Sequence, residues 1–205
     1  MTYNTRDQVK AWLRIGTAIT TDDAIIDTIG SAVSRAIDDY CDRKFTAAGT
    51  VASARYYAAD NADLLTIDDV GSLTGFVLEV DTDLDGTYDT TLTTSDYQTE
   101  PHNAITKGDA VWRLRIKANA SNAFPVSTDA AVKVTARWGW PSVPEPVKEA
   151  HLLQCARVWA RRQAPLGSIQ APELGGGERL LSRLDPDVQV MLDPFRRTPF
   201  GIGPP

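Results

Sequence analysis

The spacing of apolar residues changes twice along this chain, and this change most limits the folds that it can adopt. In residues 5–45 and again in 144–163, apolar side chains recur every three or four residues, which is typical of amphipathic helices. In residues 50–138 they alternate with polar residues, which is typical of strands with one buried face. The sequence therefore predicts helices on either side of an inserted β region.

Two helices are predicted near the N terminus. Thr5 and Gln8 have the spacing of a capping box, and Val9, Trp12 and Leu13 follow at helical intervals. A longer amphipathic helix follows the acidic start at residues 22–23, and its apolar face consists of Ile26, Ile29, Val33, Ala36, Ile37 and Tyr40. We expect this face to lie in the core.

The β region contains two segments with clear alternation. Trp112, Leu114 and Ile116 are predicted to share one face of a strand, and a second strand follows at 132–138. Weaker strands are predicted at Arg55–Tyr57, Leu64–Ile67, Phe76–Val80, Tyr88–Leu92 and Tyr97–Thr99. Short strands at this spacing predict a small antiparallel sandwich or barrel-like region.

A third helix is predicted after the sheet. Pro146 suits the first turn of a helix, which we expect to end before Pro165. Its apolar residues cover more than one face, so we expect it to contact the N-terminal helices, the sheet or a second copy of the chain. A short helix is predicted at Glu178–Leu184, within a tail that otherwise has no periodicity.

These elements predict an α+β fold: a small helical bundle of two N-terminal helices and one C-terminal helix, an inserted antiparallel β sandwich or barrel-like region, and an extended C-terminal arm. Four parts follow. Residues 1–45 form the N-terminal helices, 46–143 the inserted β region, 144–164 the long helix packing on the N-terminal helices, and 165–205 a flexible arm with a short helix.

Composition excludes several classes of protein. The net charge of −6 is concentrated in residues 46–143, which hold 7 basic and 13 acidic side chains, and an acidic chain does not favour binding to nucleic acid. No apolar run approaches the roughly 18 residues that a membrane span needs. The first residues are polar and have no apolar stretch, which is not typical of a signal peptide. We therefore expect neither a membrane partner nor conventional secretion.

One short pattern is typical of a metal site. Asp81, Asp83 and Asp85, followed by Gly86, match the first half of an EF-hand loop, but Leu92 occupies the position of the closing carboxylate. The pattern favours a hairpin turn with solvated acids, and weak calcium binding by the three carboxylates is the alternative.

No catalytic motif is present. The sequence lacks a nucleophile elbow, a P-loop, a dinucleotide-binding loop after a strand and a zinc-protease helix. His151 lies on the third helix beside leucines, so a packing role is favoured over a hydrolase role. Cys41 and Cys155 are predicted to be buried thiols. We predict no catalytic residue and no cofactor.

Two sets of residues are candidates for contacts with partners. The aperiodic tail is rich in the aromatic and arginine side chains that dominate binding sites, namely Phe195, Arg196, Arg197 and Phe200. The end of the third helix is basic and also carries a tryptophan, the residues being Arg157, Trp159, Arg161 and Arg162. These cations either complement the helix C terminus or bind an acidic partner.

Four stretches occur in an order that points to a known family. They are residues 13–45, ending in Tyr40-x-x-Arg43; residues 96–104; residues 138–150, leading into Trp159-Ala160-Arg161-Arg162; and residues 184–188 with 192–197. Together they resemble the head–tail connector (adaptor) proteins of long-tailed bacteriophages, which form the portal-proximal ring of the neck.

The resemblance implies a structural virion protein and not an enzyme. About twelve copies would form a ring under the portal, link the capsid to the next neck or tail component, and let double-stranded DNA pass without specific binding. The chain would be made in the host cytoplasm and located in the virion neck. The arm residues Phe195, Arg196, Arg197 and Phe200 would bind the portal, and Arg157, Trp159, Arg161 and Arg162 would lie at subunit interfaces. The alternatives are another neck or tail-completion protein of stopper or terminator type and, more distantly, a calcium-binding β module.

Overall fold

The computed structural model describes residues 2–127, 129–162 and 184–197, together with the backbone of two short strands. The helices are α1 (Arg6–Trp12), α2 (Asp23–Cys41), α3 (Ala104–Lys107), α4 (Glu145–Arg162) and α5 (Pro186–Leu192). The strands are β1 (Ser53–Tyr57), β2 (Leu64–Val80), β3 (Thr90–Leu92), β4 (Tyr97–Glu100), β5 (Val111–Ile116), β6 (Val132–Trp138), β7 (Ser168–Ile169) and β8 (Glu178–Arg179). The predicted α+β class is confirmed.

The chain divides into two compact units. One, the helical unit, consists of Met1–Lys44 and Pro144–Pro205, and the other, the β unit, consists of Phe45–Val143. Within the described residues, no helix combines the length and the apolar character that would allow it to cross a membrane.

The N-terminal helices begin at the predicted signals. Thr5 caps α1 by accepting a hydrogen bond from the backbone N–H of Gln8, whose side chain in turn accepts one from the N–H of Thr5. α2 ends where Asp42 adopts a left-handed conformation with φ of 51°. The buried residues of α2 recur at helical spacing and are Ile26, Gly30, Val33, Ser34, Ile37 and Cys41.

α4 contacts α1, α2 and α5 within the helical unit. Its buried residues are Val147, Ala150, His151, Gln154 and Cys155. Contacts with three helices explain why the apolar residues of α4 cover more than one face.

The C-terminal helix lies later in the chain than the sequence indicated. Glu178 and Arg179, expected to be helical, form the strand β8 opposite β7. The helix is α5, which begins after Asp185, whose carboxylate accepts a hydrogen bond from the N–H of Asp187. Val188 and Leu192 of α5 are fully buried. Part of the expected arm is therefore packed on the helical unit.

The β unit contains one antiparallel sheet. Its strand order is β1–β6–β2–β5–β4, and β3 pairs with β2. β2 is 17 residues long and joins two segments that were predicted as separate strands. Its first half pairs with β5, its last residues pair with β3 and β6, and the register shifts between Val70 and Val77. This long strand keeps both halves of the sheet continuous.

The core of the β unit is formed largely by side chains of this sheet. The predicted alternation of β6 is confirmed, since Val132, Val134 and Ala136 are buried. In β5 only part of the expectation holds, because Leu114 is buried whereas Trp112 is half-buried. The other core residues include Leu65, Ile67, Val70, Leu78, Val80, Leu92, Val111 and Phe124.

Trp140 closes the β unit after the last strand. Its ring packs against Phe45, with centroids 5.2 Å apart, and its Nε1 donates to Asp69 at 3.1 Å. The backbone there is tight: a Cβ on Gly71 would lie 2.5 Å from the carbonyl carbon of Trp140. A Cβ on Gly139, whose φ is 123°, would lie 2.5 Å from the carbonyl oxygen of Thr46. Both positions therefore require glycine.

Candidate interaction surfaces

The acidic motif forms the turn between β2 and β3. Asp81 is buried, and its carboxylate accepts hydrogen bonds from the N–H groups of Asp85 at 3.2 Å and Gly86 at 2.8 Å. Burial raises the pKa of Asp81, but the hydrogen bonds from the backbone N–H groups outweigh it and hold this pKa below its ordinary value. Asp81 is therefore a structural cap of the turn.

Asp83 and Asp85 lie exposed in the same turn. Carboxylate oxygens of Asp81, Asp83 and Asp85 come within 4.8 Å of one another. Repulsion by Asp85, followed by desolvation, raises the pKa of Asp83. Leu92, at the closing position of the partial EF-hand pattern, is buried in β3. The bonds that Asp81 makes are those of a closed turn, and calcium binding at this turn stays a prediction.

His151 occupies the centre of the helical unit. It is fully buried, its Nε2 lies 3.0 Å from the carbonyl oxygen of Gly30, and its Nδ1 lies 3.1 Å from the side-chain nitrogen of Asn4. A carbonyl oxygen only accepts, so Nε2 carries the proton and Nδ1 accepts from Asn4. Burial lowers the pKa of His151. These contacts favour the packing role.

The two cysteines are equally enclosed. Burial raises the pKa of both the Cys41 and the Cys155 thiol to about 12, so each is protonated at neutral pH. Cys155 lies next to His151, with 3.7 Å between Sγ and Nε2. A protonated, buried thiol is a poor nucleophile, which supports the expectation of buried structural cysteines.

The basic end of α4 makes contacts inside the helical unit. Arg157 forms an ion pair with Asp185, and Arg162 forms one with Asp22 at 2.9 Å. The guanidinium of Arg162 also lies 5.1 Å from the ring centroid of Trp159. Arg161 and Trp159 are half-buried. Their role at a subunit interface stays a prediction, and two of the four candidates already pair within the chain.

Three of the four arm residues lie at the end of α2. The N–H of Arg197 donates to the carbonyl oxygen of Cys41 at 3.0 Å, and Arg43 donates to the carbonyl oxygen of Phe195 at 3.2 Å. Arg196 stacks on Tyr40 at 4.8 Å. The fourth candidate, Phe200, lies outside the described residues. Residues 195–197 are thus anchored at the end of α2.

The structure is similar to a chain from the neck of an empty gene transfer agent particle, computed with C6 symmetry. The TM-score is 0.54 at 18% identity, and the match covers 99% of this chain and 94% of that chain. This fold occurs in a phage-like neck. A chain from the virion of a native gene transfer agent particle matches with the same TM-score at 17% identity, over 96% of this chain and 90% of that one.

Comparison of the sequence alone gave no relative. No protein-family model matches the chain, and no curated protein matches it. The structural likeness covers nearly all of this chain and of the chain from the gene transfer agent neck, so it includes the helical unit and the β unit. It identifies the fold of the chain as one that a gene transfer agent neck contains.

Sequence patterns did not reveal the surface formed by the loop between α1 and α2. Trp12 and Ile19 are exposed there, although Trp12 follows the apolar spacing of α1. Lys10 is buried beneath them, and its ammonium donates to the carbonyl oxygens of Thr17 and Ile19 and to the carboxylate of Asp23. The sequence held one signal for this surface. Lys10 lies between Val9 and Ala11 in α1, thirteen residues before Asp23, with which it pairs.

Proposed function

We propose that this chain is a structural neck protein of a phage-like particle, a head-to-tail adaptor that forms a ring of about twelve copies under the portal. The observation that carries the proposal is the fold shared with a neck chain over 99% of this chain and 94% of that chain. That neck was computed with C6 symmetry, with which a ring of twelve copies is compatible.

The order of the four adaptor-like stretches supports an adaptor within the neck. One of them, residues 138–150, contains Gly139 and Trp140, which close the β unit, and leads directly into α4. Another, residues 184–197, forms α5 and the segment anchored on Cys41. Both stretches stabilise this fold through these contacts. The residues that carry the adaptor resemblance are therefore also residues that hold the fold together.

The charge of the β unit suits a channel that DNA crosses without being held. Its exposed acidic residues include Asp60, Asp63, Asp83, Asp85, Asp89 and Asp109. A negative surface repels phosphate groups and gives no counterion release on contact with DNA. We assign the ring the role of linking capsid to tail while DNA passes.

A structural role also fits the chemistry of the buried groups. His151 is fully buried and both cysteines are protonated thiols, so a substrate cannot reach these groups.

We assign portal contact to the arm residues Phe195, Arg196, Arg197 and Phe200, with Arg196 as the exposed anchor. We assign the next neck or tail component to the opposite side of the ring.

The experiment is native mass spectrometry of the chain mixed with the portal ring of its own particle. A gain of one 22.3 kDa chain per portal subunit supports the adaptor. No gain, with both proteins folded, contradicts it and indicates a neck or tail-completion protein of stopper or terminator type. A chain that ends at Arg197 is the matched variant, because it removes Phe200 and keeps all described contacts of the helical unit.

A further inference from the structure

Three large apolar side chains of the helical unit are exposed among its described residues. Trp12 is 45% exposed, Ile19 is 52% exposed and Val190 is 71% exposed. Single exposed apolar residues are normal on protein surfaces. These three are close in sequence to exposed charged residues of opposite sign: Trp12 and Ile19 to Arg14, and Val190 to Asp187.

The first surface is the α1–α2 loop surface, formed by Trp12, Arg14 and Ile19. It is held in one conformation by the buried ammonium of Lys10, which donates to Thr17 and Ile19 of this loop. Arg14 adopts φ of 57°, a conformation that costs free energy for any residue with a Cβ. A loop ordered in this way loses little entropy when it binds.

The second surface is the outer face of α5, formed by Asp187 and Val190. These residues lie three apart on the helix and point away from Val188 and Leu192, which are buried. The carboxylate of Asp187 is exposed at the start of the helix. Val190 beside this carboxylate gives the face one apolar and one negative feature.

The α1–α2 loop surface lies at the start of α2, whereas α5 runs from the C-terminal half of α4 to the end of α2. The loop leads into the first residue of α2, Asp23, which pairs with Lys10 at 2.9 Å. α5 ends beside the last residue, Cys41, whose Sγ lies 3.9 Å from the carbonyl oxygen of Leu192. α2 has 19 residues and is about 28 Å long. Among the described residues, no ion pair or hydrogen bond joins the two surfaces within one copy.

Their charges are complementary and not used elsewhere in the described part of the chain. There, neither the guanidinium of Arg14 nor the carboxylate of Asp187 forms an ion pair or a hydrogen bond. A positive site with two apolar side chains on one surface matches a negative site with one apolar side chain on the other. Two different surfaces that fit each other produce a head-to-tail contact, which gives a ring when the rotation from copy to copy closes.

We propose that the α1–α2 loop surface of one copy binds the outer face of α5 in the next copy, with Arg14 paired to Asp187. This inference rests on the proposed function, because it names the contact that builds the ring. It places the subunit interface at residues other than the basic end of α4, where Arg157 and Arg162 pair within the chain.

Charge reversal tests the contact. Assembly is followed by mass photometry, with the chain alone and with the portal ring. Arg14→Glu and Asp187→Arg are each expected to weaken association of copies by about tenfold or more. Arg35→Glu, at an exposed position of α2, is the matched control and is expected to assemble normally. Circular dichroism of each variant establishes that it is folded.

Mixing the two reversed variants gives the decisive result. Each alone places like charges in every contact, but alternating copies of the two place opposite charges in every contact. An equal mixture, and the double variant Arg14→Glu/Asp187→Arg, are therefore expected to recover assembly. Normal assembly of the folded single variants, or no recovery on mixing, overturns the inference.

Cross-linking detects the contact between copies even when their association is weak. A variant with Arg14→Cys and Asp187→Cys, treated with a short bismaleimide, is expected to give a ladder in steps of 22.3 kDa. The native Cys41 and Cys155 are buried, so the wild-type chain is the background control. Absence of a ladder overturns the inference. If the chain adds mass to the portal ring but forms no ladder, the inference fails and the adaptor proposal is unaffected. If the chain forms a ladder but does not bind the portal ring, only the adaptor proposal is contradicted.

Discussion

His151 donates a hydrogen bond through Nε2 to the carbonyl oxygen of Gly30, at 3.0 Å, and so joins the middle of α4 to the middle of α2. Its other ring nitrogen accepts from Asn4, which also donates to the carbonyl oxygen of Lys148 at 2.8 Å. Protonation of Nδ1 would place two donors against each other. The network is therefore built for a neutral imidazole.

This geometry predicts loss of stability in mild acid. Burial lowers the pKa of His151 below the value of 6.5 that it has when unfolded. The unfolded chain then takes up a proton before the folded chain does, so the free energy of unfolding falls as the pH drops below about 6.5. We expect the melting temperature to decrease between pH 7 and pH 5, measured by circular dichroism.

Two variants separate this effect from other titrations. His151→Gln removes the ionisable ring, so the melting temperature should change less over the same pH range, although the variant is less stable at pH 7. His102→Gln, at an exposed position, is the matched control and should keep the wild-type pH profile. An unchanged profile in His151→Gln would show that another group is responsible.

The close approach at Trp140 predicts a strict requirement for glycine. In Gly71→Ala the new Cβ would lie 2.5 Å from backbone atoms of Trp140, which cannot move without breaking its hydrogen bonds to Thr46 and Ala48. We expect a loss of about 3 kcal/mol in urea unfolding. Gly49→Ala, where no atom lies within 4 Å of a new Cβ, should be close to neutral. Similar stability of the two variants would contradict the packing argument.

Local signals in the sequence located several elements of this fold. The capping box at Thr5 and Gln8 and the alternation around Val134 depend on neighbouring residues alone, and both are confirmed. The continuity of β2 was not predictable in this way, because Val70 and Val77 are held by pairing with strands far along the chain. Register shifts within one strand are set by tertiary contacts.

Candidate surfaces were harder to predict than elements. Trp12 has the spacing of a core residue but is exposed, since Lys10 occupies the buried position beneath the loop. Arg157 and Arg162 suggested a basic surface, yet both pair with acids that are distant in sequence. The short helix predicted at Glu178–Leu184 was wrong, because the helix begins at Pro186 with Asp185 as its cap. Exposure depends on the complete packing and not on local pattern.

Replacement of Lys10 is expected to destabilise the chain, although lysine is a residue type that usually lies at the surface. In Lys10→Met the carbonyl oxygens of Thr17 and Ile19 and the carboxylate of Asp23 lose their buried donor. We expect a loss of about 2 kcal/mol in urea unfolding, with faster hydrogen exchange in residues 13–20. Lys107→Met, at an exposed position, is the control and should unfold like the wild-type chain. Equal stability of both variants would mean that the ammonium does not order the loop.

The packing of α5 predicts where the chain tolerates truncation. A chain that ends at Leu184 lacks Val188 and Leu192, which are fully buried, and each is worth about 2 kcal/mol of burial. It also removes the contacts of Asp193 with Tyr40 and of Arg197 with Cys41. We expect this chain to melt at a clearly lower temperature than the full chain.

A chain that ends at Arg197 keeps all of these contacts and is expected to melt like the full chain. The two truncations therefore answer different questions: the melting temperature of the chain that ends at Leu184 reports what α5 contributes to the helical unit, whereas loss of attachment in the folded chain that ends at Arg197 reflects the part of the arm that includes Phe200. A melting temperature that is unchanged by removing residues 185–205 would contradict the stabilising role of Val188 and Leu192 in the helical unit.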